Sequence, residues 1–547
     1  VASLKMQDYE ESVLFLGSWG PFQRRIFFVL CLTCVPCGYN ILSVIFLLAS
    51  PPHHCDIPPH SNLSQEREGC RDGWSYSTEY FQSTVVTEFD LVCSEQWKQP
   101  LTSLVYFLGG LSGCFISGLI SDRFGRKPVL FGSIAILSIF SSAVAFAPSW
   151  PVFTVLFFML GLGQISCYIV VFVLGSEILV GSSRILFSSL GQPFVYSFSM
   201  MLLPGTAYLV RSWRHLSLIM AVPGLACIPL WWLVPESPRW LLSRGRLQEA
   251  ELLLRSAALE NRVEAPPVIF LPPKAEKAEA HQAESVSFLD LVKTAKIRHI
   301  TLKLWLIWFS TSVSYFGLSF SMSTLYGNLF LNYFLLTAVE LPAYFASWLA
   351  ARSSPRRLSF IGFCLLGALA LLFIQVATNC YPTLTMSLVL LGKFGVLAGS
   401  GVVYTYTGEL SPTVIRNTAM SSCAMFSRVG SSVSPYLLEL GETFKSLQLL
   451  PWITLGVLSL LAVLLCIFLP ETFQQPLPDT IEQMPVTQCC RWWAGGRRDD
   501  GGLHPQPPQY VAAECRSLCR WVGLKRAEPR RVGPSHAAGR LQERRPR

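Results

Sequence analysis

Charge is scarce in this sequence. Of its 547 residues, 14% are charged and 51% hydrophobic, whereas a soluble domain carries about a quarter charged residues. With 36 Phe as well, the shortage excludes an ordinary water-soluble globule and points to a chain that folds in lipid. Motifs for ATP-driven or covalent chemistry are also lacking. No G-x-x-x-x-G-K-[ST] phosphate loop occurs. Lys393 follows Gly392, but no glycine stands at the required upstream position and Phe394 replaces Ser or Thr. No HExxH pair or Ser/His/Asp arrangement is visible, so ATP-driven pumping and hydrolysis are disfavoured and no enzyme is expected. No cleavable leader is expected either, because the first apolar run is long and leads into further spans. Val1–Lys5 precede Met6, a candidate natural start.

Long apolar runs are abundant. A spanning helix needs roughly 20 apolar residues. Candidates fall near Ile26–Ala49, Leu101–Ile120, Val129–Ala147, Val152–Leu174, Ile185–Leu209 and Leu216–Val234. A second set falls near Leu302–Phe320, Leu329–Ala350, Leu358–Thr378, Leu384–Tyr406, Thr418–Leu440 and Ile453–Leu469. Several are interrupted by Gly and Pro, which bundles in lipid tolerate. The pattern predicts an all-α membrane protein of twelve spans. The net charge is +9, of which +8 lies between Pro485 and Arg547. The basic balance therefore describes one tail and gives no reason to expect nucleic acid.

With twelve spans, the short loops bearing Arg24, Arg25, Arg123, Arg126, Lys127, Arg184, Arg239, Arg352, Arg356, Arg357 and Arg416 fall on one side. The positive-inside rule makes that side cytoplasmic, with both termini. The opposite side holds one large loop, Ser50–Pro100, with Asn62-Leu63-Ser64 as an N-glycosylation acceptor. Cys55, Cys70 and Cys93 share that loop as disulfide candidates, and the odd number leaves at least one free or paired elsewhere. Cys31, Cys34 and Cys37 have a metal-like spacing, but within a span cysteine reads as a small packing residue, and no metal is expected. Ser237–His299 reads as a cytoplasmic linker with a short helix at Arg246–Ala258 and prolines at 266, 267, 272 and 273. The Pro-, Gly- and Arg-rich tail after Met484 is expected to be disordered, with Cys489-Cys490 a candidate for palmitoylation.

The chain repeats itself. Glu177 and Arg184 recur as Glu409 and Arg416; Arg126-Lys127 recurs as Arg356-Arg357; Pro235-Glu236-Ser237 recurs as Pro470-Glu471-Thr472. The three intervals are nearly equal. Two homologous six-helix halves follow, 26–234 and 301–469, flanked by a cytoplasmic segment 1–25, the linker 235–300 and the tail 470–547. This is the parallel-repeat plan of the major facilitator fold, with a substrate site at midplane between the halves.

Gly118–Lys127, GLISDRFGRK, resembles the signature loop of that fold. Gly118 and Gly125 permit close approach. Asp122, Arg123, Arg126 and Lys127 are placed to form a charge network with Glu177, Arg184, Glu409 and Arg416, a gate that holds one state and breaks when the cytoplasmic side opens. The bland alternative is a topology signal with surface ion pairs. Only Glu340, Lys393 and Arg428 lie well inside spans. Arg428 stands about 15 Å deep at 1.5 Å per residue, where an arginine costs about 2.5–3.5 kcal/mol even on the lenient insertion scale. Pairing Glu340 with Lys393 leaves Arg428 to bind a carboxylate bidentately; a bridge from Glu340 to Arg428 is the competing arrangement. Tyr168, Tyr196, Tyr315, Tyr404 and Tyr406 also lie in spans, and aromatic faces attract quaternary ammonium groups. For any single tyrosine ordinary packing is the commoner role. Together with Arg428 they suggest a zwitterionic substrate.

The chain resembles the organic ion transporter family of the major facilitator superfamily, most of all its carnitine/organic cation branch. The resemblance runs from about Met6 to Met484 and rests on LGSWGPFQRRIFF, TVVTEFDLVC, ISDRFGRKPVLF, GLGQIS, PESPRWLLSRGRLQEAE, GKFGV, YTGELSPTVIRN, SRVGS and LPDTIEQM. It implies electrochemically driven transport of organic cations, anions or zwitterions across the plasma membrane, with no ATP and no cofactor. In cation-selective branches the position of Arg428 is commonly Asp. Glu409 matches a glutamate implicated in sodium coupling, and Gln164 a site-lining position. Cys37-Gly38 stands where close relatives have Asn-Gly, and the large loop is short of one cysteine. The expectation is an alternating-access carrier of carnitine-like zwitterions and organic cations, with sodium as a candidate co-substrate. A sodium-independent facilitator is the second reading and a non-transporting receptor or scaffold the third.

Overall fold

The computed structural model of the chain describes residues 12–55, 73–270, 290–293, 295–321, 325, 327–377, 382–412, 415–443 and 449–473. Met6, Asn62, Cys70, the prolines at 272 and 273, and the tail after residue 473 lie outside the described residues.

Helices account for nearly all of the described chain. Six make the first half: Pro21–Leu47, Lys98–Phe124, Arg126–Val144, Trp150–Ile178, Ser182–Leu209 and Trp213–Trp232. Six make the second: Ala295–Phe320, Leu329–Ser353, Arg356–Ala377, Pro382–Leu410, Arg416–Thr443 and Leu450–Ile467. They are called the first to twelfth spans below. Several extend past the apolar limits read from the sequence, because helical hydrogen bonding continues into the charged turn beyond each apolar run. Proline opens the first, fourth and twelfth spans in the first turn, where its missing N–H is no loss. The second and third spans are separated by one residue, Gly125, with φ 109°, a backbone conformation that side chains with a Cβ resist.

Among the described residues, ten of these helices are long and apolar enough to cross a membrane by composition alone. The other two, Ala295–Phe320 and Arg416–Thr443, have 26 and 28 residues. Lys296, Arg298 and Lys303 lower the mean hydropathy of the seventh span; Arg416, Arg428, Glu439, Glu442 and several serines lower that of the eleventh.

The halves pack by the same device. A Cβ on Gly163 of the fourth span would lie 2.9 Å from the Leu137 backbone nitrogen of the third, and one on Gly395 of the tenth span 2.6 Å from the Phe363 carbonyl oxygen of the ninth. The same interval separates these two glycines as separates Glu177 from Glu409, so the close approach belongs to the repeat.

Each end of the bundle has its own closure. On the side of the large loop, His53–Cys55 pairs antiparallel with Trp74–Tyr76. Trp213 Nε1 donates to Glu88 Oε2 at 2.6 Å, and Arg214 also pairs with Glu88, tying the loop to the sixth span. Cys55 is disulfide-bonded and Cys93 is an exposed free thiol. Beneath them, rings from the two halves meet: Phe46 with Tyr333 at 5.2 Å, Phe81 and Tyr208 with Phe330 at 5.6 Å, and Phe107 with Phe316 at 5.1 Å. At the opposite end, which carries the basic loops, the linker helix Leu247–Asn261 clasps the start of the first span. Asn261 accepts from the Phe22 N–H at 2.8 Å and donates to Gln23 Oε1 at 2.8 Å, while Arg25 pairs with Glu260 at 2.7 Å. Cys31, Cys34 and Cys37 are buried packing residues of the first span, and no described group of His, Cys, Asp and Glu could hold a metal.

Gly395→Val should overpack the contact between the ninth and tenth spans and lower stability by about 1–3 kcal/mol. Thermal unfolding in detergent should show a clear fall in Tm; an unchanged Tm would remove the close-packing argument.

Candidate functional site

A cavity of about 1080 Å³ lies between the halves. Its depth is lined by Tyr168, Tyr196, Tyr315, Tyr344, Tyr404 and Arg428. Trp19, Ser182, Arg352, Arg356 and Glu409, which also line it, stand at or near helix ends on the basic side. The cavity therefore opens at the basic end, while the aromatic contacts beneath the large loop close the other.

Arg428 reaches the cavity from the middle of the eleventh span. Its Nε is buried without a hydrogen-bond partner among the described residues. The rings around the cavity are ordered by contact. Tyr168 meets Tyr196 at 5.0 Å, Trp308 meets Tyr404 at 5.0 Å, and Phe172 meets Tyr404 at 6.1 Å across the halves. Such an arrangement offers one guanidinium for a carboxylate and several π faces for an ammonium group.

Glu340 and Lys393 are paired behind this wall. Lys393 Nζ lies 3.3 Å from Glu340 Oε1, with side chains 1% and 0% exposed. The carboxylate also accepts from Tyr315 Oη at 2.6 Å and from Ser197 Oγ at 2.9 Å, and Lys393 donates to Ser319 Oγ at 2.8 Å. Among the described residues the competing bridge from Glu340 to Arg428 is not formed. Ser197 belongs to the first half and Glu340 to the second, so this cluster also crosses between them.

The charged residues of the basic end form two copies of one cluster. Arg126 Nε donates to Glu177 Oε2 at 3.1 Å, and Glu236 accepts from the backbone N–H of Arg126 at 2.9 Å and of Lys127 at 3.2 Å. In the second half, Arg356 Nε donates to Glu409 Oε1 at 3.1 Å, and Glu471 accepts from the N–H of Arg356 at 2.8 Å and of Arg357 at 3.1 Å. Asp122 Oδ1 adds a contact to Arg126 at 2.9 Å. These pairs lie within a half and hold while the basic end is open. Arg123 is exposed, with its guanidinium 5.5 Å from the Phe124 ring centre. Gly118 has open space where a Cβ would stand. Arg184 and Arg416 open the fifth and eleventh spans at equivalent places.

Three expected site residues stand elsewhere or are engaged. Tyr406 is buried away from the cavity and donates to the Pro470 carbonyl. It is two residues from Tyr404, and positions two apart on a helix face different ways. Gln164 lies behind the wall, fully buried, donating to the Cys37 carbonyl at 3.1 Å and lying 3.5 Å from the Tyr196 hydroxyl. Glu409 reaches the cavity mouth, but both its oxygens are taken, by Arg356 and by Thr472 Oγ1 at 2.6 Å. Sequence reasoning missed Trp308, Tyr344 and Trp348. The stripe Trp308, Thr311, Ser312, Tyr315 and the stripe Tyr344, Ser347, Trp348, Ala351 have helical spacing and line the cavity. It also missed a π-helical turn at Phe187–Gly191, which brings Ser188 and Ser189 to the cavity.

Two repeated six-helix halves around a central cavity define a membrane transporter of the major facilitator fold, not an enzyme. In fold the chain is similar to the inward-open conformation of the xylose transporter XylE from E. coli, with a TM-score of 0.60 and 16% identity over 83% of this chain and 98% of that one. The chain belongs to the sugar (and other) transporter family, whose model matches residues 54–484, and within it to the organic cation/carnitine transporter branch. It is 42% identical to the organic cation/carnitine transporter 2 of Rattus norvegicus, over 91% of this chain and 99% of that protein. It is 42% identical to the solute carrier family 22 member 4 of Mus musculus, over 88% and 95%, and 32% identical to the organic cation transporter protein of Drosophila melanogaster, over 87% and 94%.

Lys393→Met leaves Glu340 buried without its cation, which should cost about 3–5 kcal/mol. Adding Glu340→Gln should recover a large part. Tm values of the two single variants and the double variant test this, and additive losses would show that the pair is not a unit.

Proposed function

We propose that this chain carries carnitine-like zwitterions and organic cations across the plasma membrane by alternating access, with its basic end and both termini in the cytoplasm. The observation that carries the reading is Arg428, aimed into a tyrosine-lined cavity with Nε unbonded among the described residues. In this reading its guanidinium holds the substrate carboxylate. The rings of Tyr168, Tyr196, Tyr315 and Tyr404 take the ammonium group. The cavity open at the basic end corresponds to the release state, and charge at that end matches the positive-inside rule.

One observation favours a second reading, in which sodium takes no part. Glu409 is the one carboxylate among the cavity-lining residues described, and Arg356 and Thr472 occupy both its oxygens. Glu340 is neutralised by Lys393. A sodium ion at Glu409 would have to displace Arg356.

The test is uptake of labelled carnitine and of tetraethylammonium by cells expressing the chain, with sodium present and then replaced. Arg428→Ala should reduce carnitine uptake at least about tenfold, the loss expected for removing a charged hydrogen-bond partner, and spare tetraethylammonium. Equal loss of both would make Arg428 structural. Carnitine uptake that vanishes without sodium would overturn the second reading.

A further inference from the structure

The two halves differ by a charge reversal at one point of the repeat. Arg126 and Arg356 occupy equivalent places in the two halves, so Asp122 is equivalent to Arg352. Asp122 sits four residues before Arg126 and pairs with it at 2.9 Å. Arg352 sits four residues before Arg356 and has the same sign. Arg352 ends the eighth span and Arg356 opens the ninth; two cations cannot pair, so Arg352 cannot do what Asp122 does. Arg356 is already bound to Glu409. Arg352 is exposed, makes no ion pair among the described residues, and lies with its guanidinium 5.8 Å from the Trp348 ring centre. Both Arg352 and Trp348 line the cavity. Arg428, the other cation there without a carboxylate partner among the described residues, stands about 18 Å along its helix from the basic end at 1.5 Å per residue.

We propose that Arg352, backed by Trp348, is a second anion-recognition point at the cytoplasmic mouth of the cavity, which receives the carboxylate of a substrate as it leaves Arg428. The inference rests on the reading of the cavity as a carrier of carboxylate-bearing zwitterions. A cation at a cleft mouth raises the local concentration of anions and guides their passage. It also gives the inner face a binding preference that the other end of the bundle, sealed by rings, does not share. A substrate without a carboxylate gains nothing from this point.

The experiment measures efflux from preloaded cells, normalised to surface protein, for carnitine and for tetraethylammonium. The variants are Arg352→Gln and the charge-preserving Arg352→Lys. Arg352→Gln should raise the internal carnitine concentration for half-maximal efflux about twofold to fivefold, as for loss of an exposed charge pair. Arg352→Lys should stay near the unmodified value, and tetraethylammonium efflux should not change. Equal losses for both probes would make Arg352 a topological anchor and overturn the proposal. So would an unchanged carnitine value in Arg352→Gln, or a Lys variant as poor as the Gln one. If the unmodified chain moves no carnitine, this proposal and the reading beneath it both fall. If Arg428→Ala abolishes carnitine uptake while Arg352→Gln is silent, only this proposal falls.

Discussion

Neutralisation of buried charge is the constraint on which the rest of this structure depends. A charge taken from water costs several kcal/mol unless a partner and hydrogen bonds receive it. Arg126 is met by Glu177 and Asp122, Arg356 by Glu409, and Lys393 by Glu340. Once these partners are assigned, the charge of Arg428 faces the cavity with no carboxylate beside it among the described residues. The significance of that one residue comes from how completely the neighbouring charges are matched.

The repeat shows where the halves kept the same chemistry and where they diverged. At the basic end the Arg–Glu–Glu clusters are near copies. In the cavity, the interval that separates Glu177 from Glu409 also relates Phe172 to Tyr404, two rings that touch. It relates Tyr196 to Arg428 and Gly161 to Lys393 as well. Both halves supply aromatic surface, and the charged residues that line the cavity, Arg352, Arg356, Glu409 and Arg428, all come from the second. A duplicated scaffold thereby produces a cavity with two unlike walls, only one of which carries charged side chains.

Much of this was legible in the sequence. The span count follows from the length of the apolar runs and the repeat from motifs that recur at nearly equal intervals, while the Glu340–Lys393 pair and the inward aim of Arg428 follow from the cost of charge in lipid, which leaves few arrangements. Tyr406 failed because membership of a span does not specify a face; its two-residue separation from Tyr404 already argued against both lining one cavity. Gln164 failed because matching a motif does not say which layer of the wall a residue occupies. The occupation of Glu409 was half visible, since its repeat partner Glu177 was expected to meet a basic residue, but the hydroxyl of Thr472 comes from the turn after the twelfth span. Such long-range contacts leave no periodic trace in sequence.

Magnitudes indicate which parts of the bundle yield most readily. Breaking the buried Lys393–Glu340 pair costs about 3–5 kcal/mol, and it and the half-buried pairs Arg126–Glu177 and Arg356–Glu409 each lie inside one half. Contacts between halves are of a weaker kind. Ring pairs such as Phe46–Tyr333 and Phe107–Phe316 contribute about 0.5–1.5 kcal/mol each beyond area burial, and the hydroxyl of Ser197 on Glu340 about 1.5–3 kcal/mol. Rings also re-pair with little loss after a small displacement, whereas a bidentate ion pair does not. The interface between halves is therefore softer than either half. Ser197–Glu340 is the exception that joins the two. It hangs the second half's buried carboxylate on the first half's wall, so that any movement of the fifth span past the eighth is felt at Glu340, and through Tyr315 at the cavity.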